Sequence, residues 1–151
     1  MNDFKPFDDK LAGLIAALSP AARRRMAADI AKTLRARQQR RIKTQKAPDG
    51  TPYAARKRQP VKAKKGRVKR EMFAKLRTSR FMKATAGNNA AVVEFTGKVQ
   101  RIANVHQYGL NDRPNRNSHY MKYEMRPLFG FNEESNKQVE NVILTMLMKN
   151  K

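Results

Sequence analysis

The chain has no cysteine. That absence removes disulfide frameworks, thiolate zinc sites and cysteine nucleophiles together, and makes a reducing cytoplasm the expected setting. Long apolar runs are missing as well. No stretch approaches the roughly 18 residues of a membrane span, and the acidic opening MNDFKPFDDK lacks the basic and apolar regions of an export signal. Neither export nor membrane insertion is expected. No glycine-rich phosphate loop occurs, since Ala86-Gly87-Asn88 reads as a turn. The paired acids Asp8-Asp9 and Glu133-Glu134 stand at expected helix starts, where the helix dipole accounts for them. There are two histidines, with no nucleophile or second ligand spaced to work with either. Catalytic residues, cofactors and metals are therefore not expected.

Acidic residues are scarce: 12 stand against 34 lysines and arginines, for a formal net charge of +22. The excess is segregated. Between Arg23 and Lys83 lie 23 basic residues and three acids, Asp29, Asp49 and Glu71, so this segment carries 20 of the 22 net charges. Such polarity implies an acidic partner surface, either nucleic acid or an anionic protein face. Only Tyr53, Phe73 and Phe81 interrupt the basic run, which is sparse for base stacking, and no zinc-finger, ribonucleoprotein or zipper pattern is present. Sequence-specific recognition is not expected. Nonspecific phosphate binding and a solvated basic face both remain open, because charge alone produces either.

At 151 residues the chain has the length of one domain, which buries roughly 70% of its unfolded surface. Three parts are expected: an N-terminal helical part (1–42), a basic loop or arm (43–71) and an α+β core (72–151). Leu11, Leu14, Ile15 and Leu18 follow Asp8-Asp9 at helical spacing. Ser19 as N-cap and Pro20 at the first position open a second helix, with Met26, Ile30 and Leu34 as its buried stripe. Apolar periodicity then lapses until Arg70, with a turn at Asp49-Gly50. Within this part, 59–70 is expected to stay disordered until a partner neutralises it. Met72, Phe73 and Leu76 suggest a helical turn. Phe81–Ala86 and Ala91–Phe95 read as strands, and Lys98-Val99-Gln100 as the third of an antiparallel meander. Val139, Val142, Ile143, Met146 and Leu147 mark a C-terminal amphipathic helix, expected to cover one sheet face.

In RIANVHQYGL, Ile102, Val105 and His106 share one side of a two-turn helix that Gly109 ends. His106 then sits half-buried near a helix terminus, a structural placement rather than a general base. His119 lies in the polar loop NDRPNRNSHYMKY, and no recognisable metal spacing joins the two histidines.

Taken in order, APDGTPYAARKR, MFAKLRTSRFMK, VVEFTGKVQRIANVHQYGL and MRPLFGF, followed by an amphipathic helix, resemble the tail completion, or virion morphogenesis, proteins of contractile-tailed temperate bacteriophages, the S-protein family. The match spans roughly Arg41 to Leu147. Its motif positions are Asp49, Gly50, Phe73, Leu76, Arg77, Gly97, Arg101, Ile102, Ala103, Val105, His106, Gln107, Tyr108, Gly109, Arg126 and Gly130. The sequence departs from the pattern at Tyr53, where Trp is usual, at Ala55, where proline is, and at Glu124, where proline follows an aromatic. The stretch Lys62, Lys64, Lys65, Arg67, Lys69 and Arg70 is more basic than the resemblance requires.

The resemblance implies a non-enzymatic assembly protein with a small α+β fold like that of phage neck and tail-terminator proteins. It implies action at the head-proximal end of the tail, in the host cytoplasm during assembly and then in the virion. Partners would be tail tube or sheath proteins and head-neck proteins, with no membrane. A terminator must match the tail's rotational symmetry, so a homo-oligomeric ring is expected, a hexamer first, with the basic arm against acidic subunits or nonspecifically against DNA.

Overall fold

Proline in the first turn of a helix sacrifices no internal hydrogen bond. Accordingly α1 (Lys5–Ala16) takes in Pro6 and starts before the Asp8-Asp9 pair in the computed structural model, which describes residues 5–56, 71–87 and 89–149. Ser19 caps α2 (Pro20–Lys43) as its sequence suggests: its Oγ accepts the Ala22 N–H at 3.1 Å. The helix runs through the arginine-rich stretch and ends with Arg40, Arg41 and Lys43 in its last turn, where their charge suits the dipole. Gln45 closes it in the left-handed region, φ 60°, its N–H donating to Ile42 O at 2.9 Å.

Two strands form the expected hairpin, β1 (Met82–Ala86) and β2 (Ala91–Phe95). Along β2, Val93 and Phe95 are more covered than Val92 and Glu94, the alternation of a sheet with one covered face. The third strand of the meander is not formed. Thr96 O accepts the N–H groups of both Val99 and Gln100, at 2.9 and 3.1 Å, and this tight turn feeds α3 (Gln100–Tyr108) directly. Its buried residues are Ala103 and Val105, whereas Ile102 is 50% exposed. Gly109 ends the helix at φ 63°. Beyond it, β3 (Asn111–Asp112) pairs antiparallel with β4 (Met121–Lys122), and α4 (Glu133–Lys149) closes the chain with Glu133 and Glu134 in its first turn. The architecture is α+β.

The described residues gather into two compact units, one from parts of Met1–Arg35, Ala84–Val93 and Glu133–Lys151, the other from Ala36–Lys83 and Glu94–Asn132. In the first, Ala22, Met26, Ala27 and Ala31 are the buried face of α2, while Ile30 and Leu34 are only half-buried. Alanines take the deepest positions because they let neighbouring backbones come close. The α4 stripe is half-buried throughout, and Val142 and Met146 share a cleft with Asp29, Lys32 and Thr33 of α2. In the second unit Ile42, Met82 and Leu128 are fully buried, and the rings of Phe95 and Phe129 stack at 4.5 Å.

The Ser19 cap provides a check on α2. Ser19→Ala leaves an N-terminal N–H without its side-chain acceptor and should lower stability by about 1 kcal/mol in urea unfolding.

Candidate functional site

Residues 123–132 follow β4 with no regular structure, so their backbone groups have no ladder to satisfy them. Buried N–H and C=O groups need partners. In the second unit these come from side chains. Gln107 Oε1 accepts the N–H groups of Leu128 and Phe129 at 2.8 and 2.9 Å, and its Nε2 donates to Phe129 O at 3.0 Å. Arg41 donates to Leu128 O and to Gln38 Oε1, while Gln38 Nε2 donates to Gly130 O at 3.1 Å. Tyr53 Oη donates to Pro127 O at 2.8 Å, and the Arg126 N–H donates to His106 O at 2.7 Å. Arg126 itself is buried, and its guanidinium donates to the carbonyls of Ala54 and Ala55 at 2.8 and 3.1 Å. A segment without secondary structure is thereby held at five consecutive residues, Arg126 to Gly130.

The same device fixes the turn after α2. Gln45 uses its side-chain amide as a strand would use its backbone, accepting the Met72 N–H at 2.8 Å and donating to Met72 O at 2.9 Å. Between Gln45 and Tyr53 the chain folds back on itself: Ala47 N–H donates to Thr51 O and Gly50 N–H to Ala47 O, with Gly50 at φ 89°. Asp49 accepts the Thr51 N–H at 2.9 Å, which holds its carboxyl below the usual carboxylate range. Pro48 on this turn abuts Gly130, where an added Cβ would lie 2.5 Å from Pro48 Cγ. Gly130 is glycine for lack of room. At Gly109 both reasons apply, since φ is positive and the Met125 backbone N would stand 3.0 Å from a Cβ.

His106 stands at the centre of an aromatic group. Its ring meets Phe73 edge-to-face at 4.9 Å and Tyr123 at 5.4 Å, and Phe73 in turn meets Tyr53 at 5.6 Å. Phe73 holds φ 67°, a conformation uncommon for an aromatic residue. Burial, with Arg126 and Arg56 nearby, lowers the His106 pKa below the ordinary histidine value, so the imidazole is neutral at pH 7. Its Nδ1 is buried without a hydrogen-bond partner among the described residues. A cleft of about 400 Å³ opens beside this group, lined by Arg56, Met72, Phe73, His106, Pro114, Met121, Lys122, Tyr123, Glu124 and Arg126. Among the described residues no three His, Asp or Glu side chains come together as a metal-holding group.

All the motif positions of the described chain fall in the second unit. Asp49, Gly50 and Gly130 meet through Pro48; Phe73 meets His106; Gln107 and Arg126 hold the irregular segment. Leu76 is buried and Arg77 pairs with Glu71 at 2.9 Å. Arg101 pairs with Asp112, and Tyr108 is 65% exposed on α3. Gly97 has no atom near its Cβ position, so it is not glycine for want of space. The basic stretch Lys62, Lys64, Lys65, Arg67, Lys69 and Arg70 lies outside the described residues. Sequence reasoning missed Gln38, Arg41 and Gln45. Their signal is spacing: with Ile42 they form an i, i+3, i+4, i+7 row in which polar residues occupy core positions.

A model of the phage virion morphogenesis family matches residues 2–148. Tail completion protein S of Escherichia phage P2 is 52% identical over 148 residues, covering 97% of this chain and 99% of that protein. No solved structure matches the chain.

Gln107→Leu would leave the Leu128 and Phe129 amides without an acceptor. It should destabilise the fold by at least about 2 kcal/mol in chemical denaturation. His106 makes stability depend on pH. Its pKa is lower folded than unfolded, so the unfolded chain binds the extra proton first. The contribution is complete above about pH 6.5 and declines as pH falls below that value. Thermal melts of the protein should show this decline as the pH is lowered below about 6.5, and His106→Phe should flatten it.

Proposed function

The chain belongs to the phage virion morphogenesis family, and on that premise we propose that it completes the head-proximal end of a phage tail and makes it competent to join the filled head. The observation that carries this reading is the 52% identity to a tail completion protein along nearly its full length. The motif residues support a structural mode of action rather than catalysis. Gln107, Arg126, Gly109 and Gly130 hold backbone in place, and His106 is neutral between two rings with its Nδ1 bonded to nothing among the described residues.

Action is by ring assembly. A tail has closed rotational symmetry, so copies associate head-to-tail around its axis, six in the simplest match. Tyr108, exposed on α3 although it is a motif position, is the side chain we assign to a subunit contact. The basic segment meets acidic neighbouring subunits, an attraction that speeds encounter and weakens with salt. A second reading draws on the same charge: nonspecific binding to DNA, whose affinity must fall steeply between about 50 and 200 mM salt.

Electron microscopy of lysates from the encoding phage, with this reading frame stopped early, tests the leading reading. DNA-filled heads beside separate tails with unfinished upper ends are the expected outcome; normally joined virions would overturn it. Reversing charge at Lys62, Lys64, Lys65 and Arg67 should lower the yield of joined particles.

A further inference from the structure

We propose that the cleft beside His106 receives an extended, acidic segment of a partner protein, which adds as a third strand along the outer edge of β4. The first support is geometric. Side chains of a strand alternate between its two faces, so a cavity against one face meets every second residue. Here Met121, Lys122, Tyr123 and Glu124 line the cleft in succession. A wall of consecutive residues is extended chain met edge-on, here β4 and the two residues after it, the first of which still bonds to Leu110. The register agrees. Asp112 opposes Met121, and Tyr123 N–H donates to Leu110 O at 3.1 Å, so positions 121 and 123 direct their backbone groups toward β3. In an antiparallel ladder the intervening residues turn theirs outward, which places those of Lys122 and Glu124 on the cleft side. Among the described residues the sheet has two strands, and none lies on that edge. Such an edge is a template for an incoming strand.

Charge and shape select the occupant. Lys122 and Arg56 line the cleft against the single acid Glu124, with Arg126 behind them engaged on the Ala54 and Ala55 carbonyls, while Phe73 and Tyr123 supply apolar wall. A peptide alternating acidic and aromatic or aliphatic residues meets both requirements. A second copy of the chain is a poor occupant, because no two of its 12 acidic residues stand two apart, as a strand alternating acidic and apolar residues requires. Nucleic acid is poorer still: Glu124 opposes phosphate, and a row of outward amide N–H and C=O groups matches a peptide backbone. The inference concerns the second unit alone and stands apart from ring formation.

The test uses the full chain and a fluorescein-labelled hexapeptide of alternating aspartate and phenylalanine. Controls are its asparagine counterpart, two versions N-methylated at alternate peptide bonds in either phase, and a thymidine hexanucleotide. Anisotropy titration should give saturable binding that weakens by about tenfold or more for the asparagine peptide and for one N-methylated phase. Lys122→Glu, an exposed position, should melt as the parent does and weaken binding similarly. Amide NMR shifts should centre on residues 121–124. Failure to bind, equal binding by both N-methylated peptides, displacement by the hexanucleotide, or shifts centred elsewhere would each overturn the proposal. So would loss of self-association in Lys122→Glu, which would make a second copy the occupant.

Discussion

An irregular segment can be buried only if something other than secondary structure satisfies its backbone, and residues 126–130 of this chain are held under that constraint. Three glutamines or arginines do most of it. Gln107 reaches from α3, and Gln38 and Arg41 from the last turns of α2, so that two helices and the Tyr53 hydroxyl converge on one strip of chain. The arrangement resists displacement because five consecutive residues, Arg126 to Gly130, are each hydrogen-bonded: moving the strip would strand several groups at once, at a penalty of about 1–3 kcal/mol for each buried group. Leu128, fully buried in the middle of it, adds the apolar anchor.

Around that strip the motif residues divide by task. Gly130 and Gly109 are close approaches, one to the Pro48 ring and the other to the Met125 backbone. Asp49 and Gly50 shape the turn that carries Pro48. His106 contributes a neutral ring packed between Phe73 and Tyr123, and its backbone carbonyl receives the Arg126 N–H. Tyr53 packs edge-on against Phe73 and donates its hydroxyl to Pro127, whose carbonyl belongs to the strip. A histidine in such a setting is a packing residue with a titratable consequence, since burial and two guanidinium neighbours oppose its protonation.

Charge has a different logic. Arginine is tolerated inside this unit where its guanidinium meets backbone carbonyls: Arg126 with Ala54 and Ala55, Arg41 with Leu128. Burial lowers the pKa of both, Glu124 partly offsetting it at Arg126 and Tyr53 at Arg41. These buried cations belong to the fold, and an estimate of surface charge from composition alone includes them wrongly.

The helices, the Ser19 cap, the hairpin strands, the turn at Asp49-Gly50 and the α+β class were legible in the sequence, because each depends on neighbours within a few residues. Local pattern misplaced what depends on distant ones. Lys98–Gln100 has strand composition but lies where Thr96 closes a turn. Gln38, Arg41 and Gln45 read as parts of a basic, solvated helix end, and only folding shows that their partners lie at residues 72 and 128–130. By itself the sequence determined the local elements, the segregation of charge and the family. The tertiary structure decided which polar side chains became internal backbone partners, because a hydrogen bond across 90 residues leaves no periodicity to read.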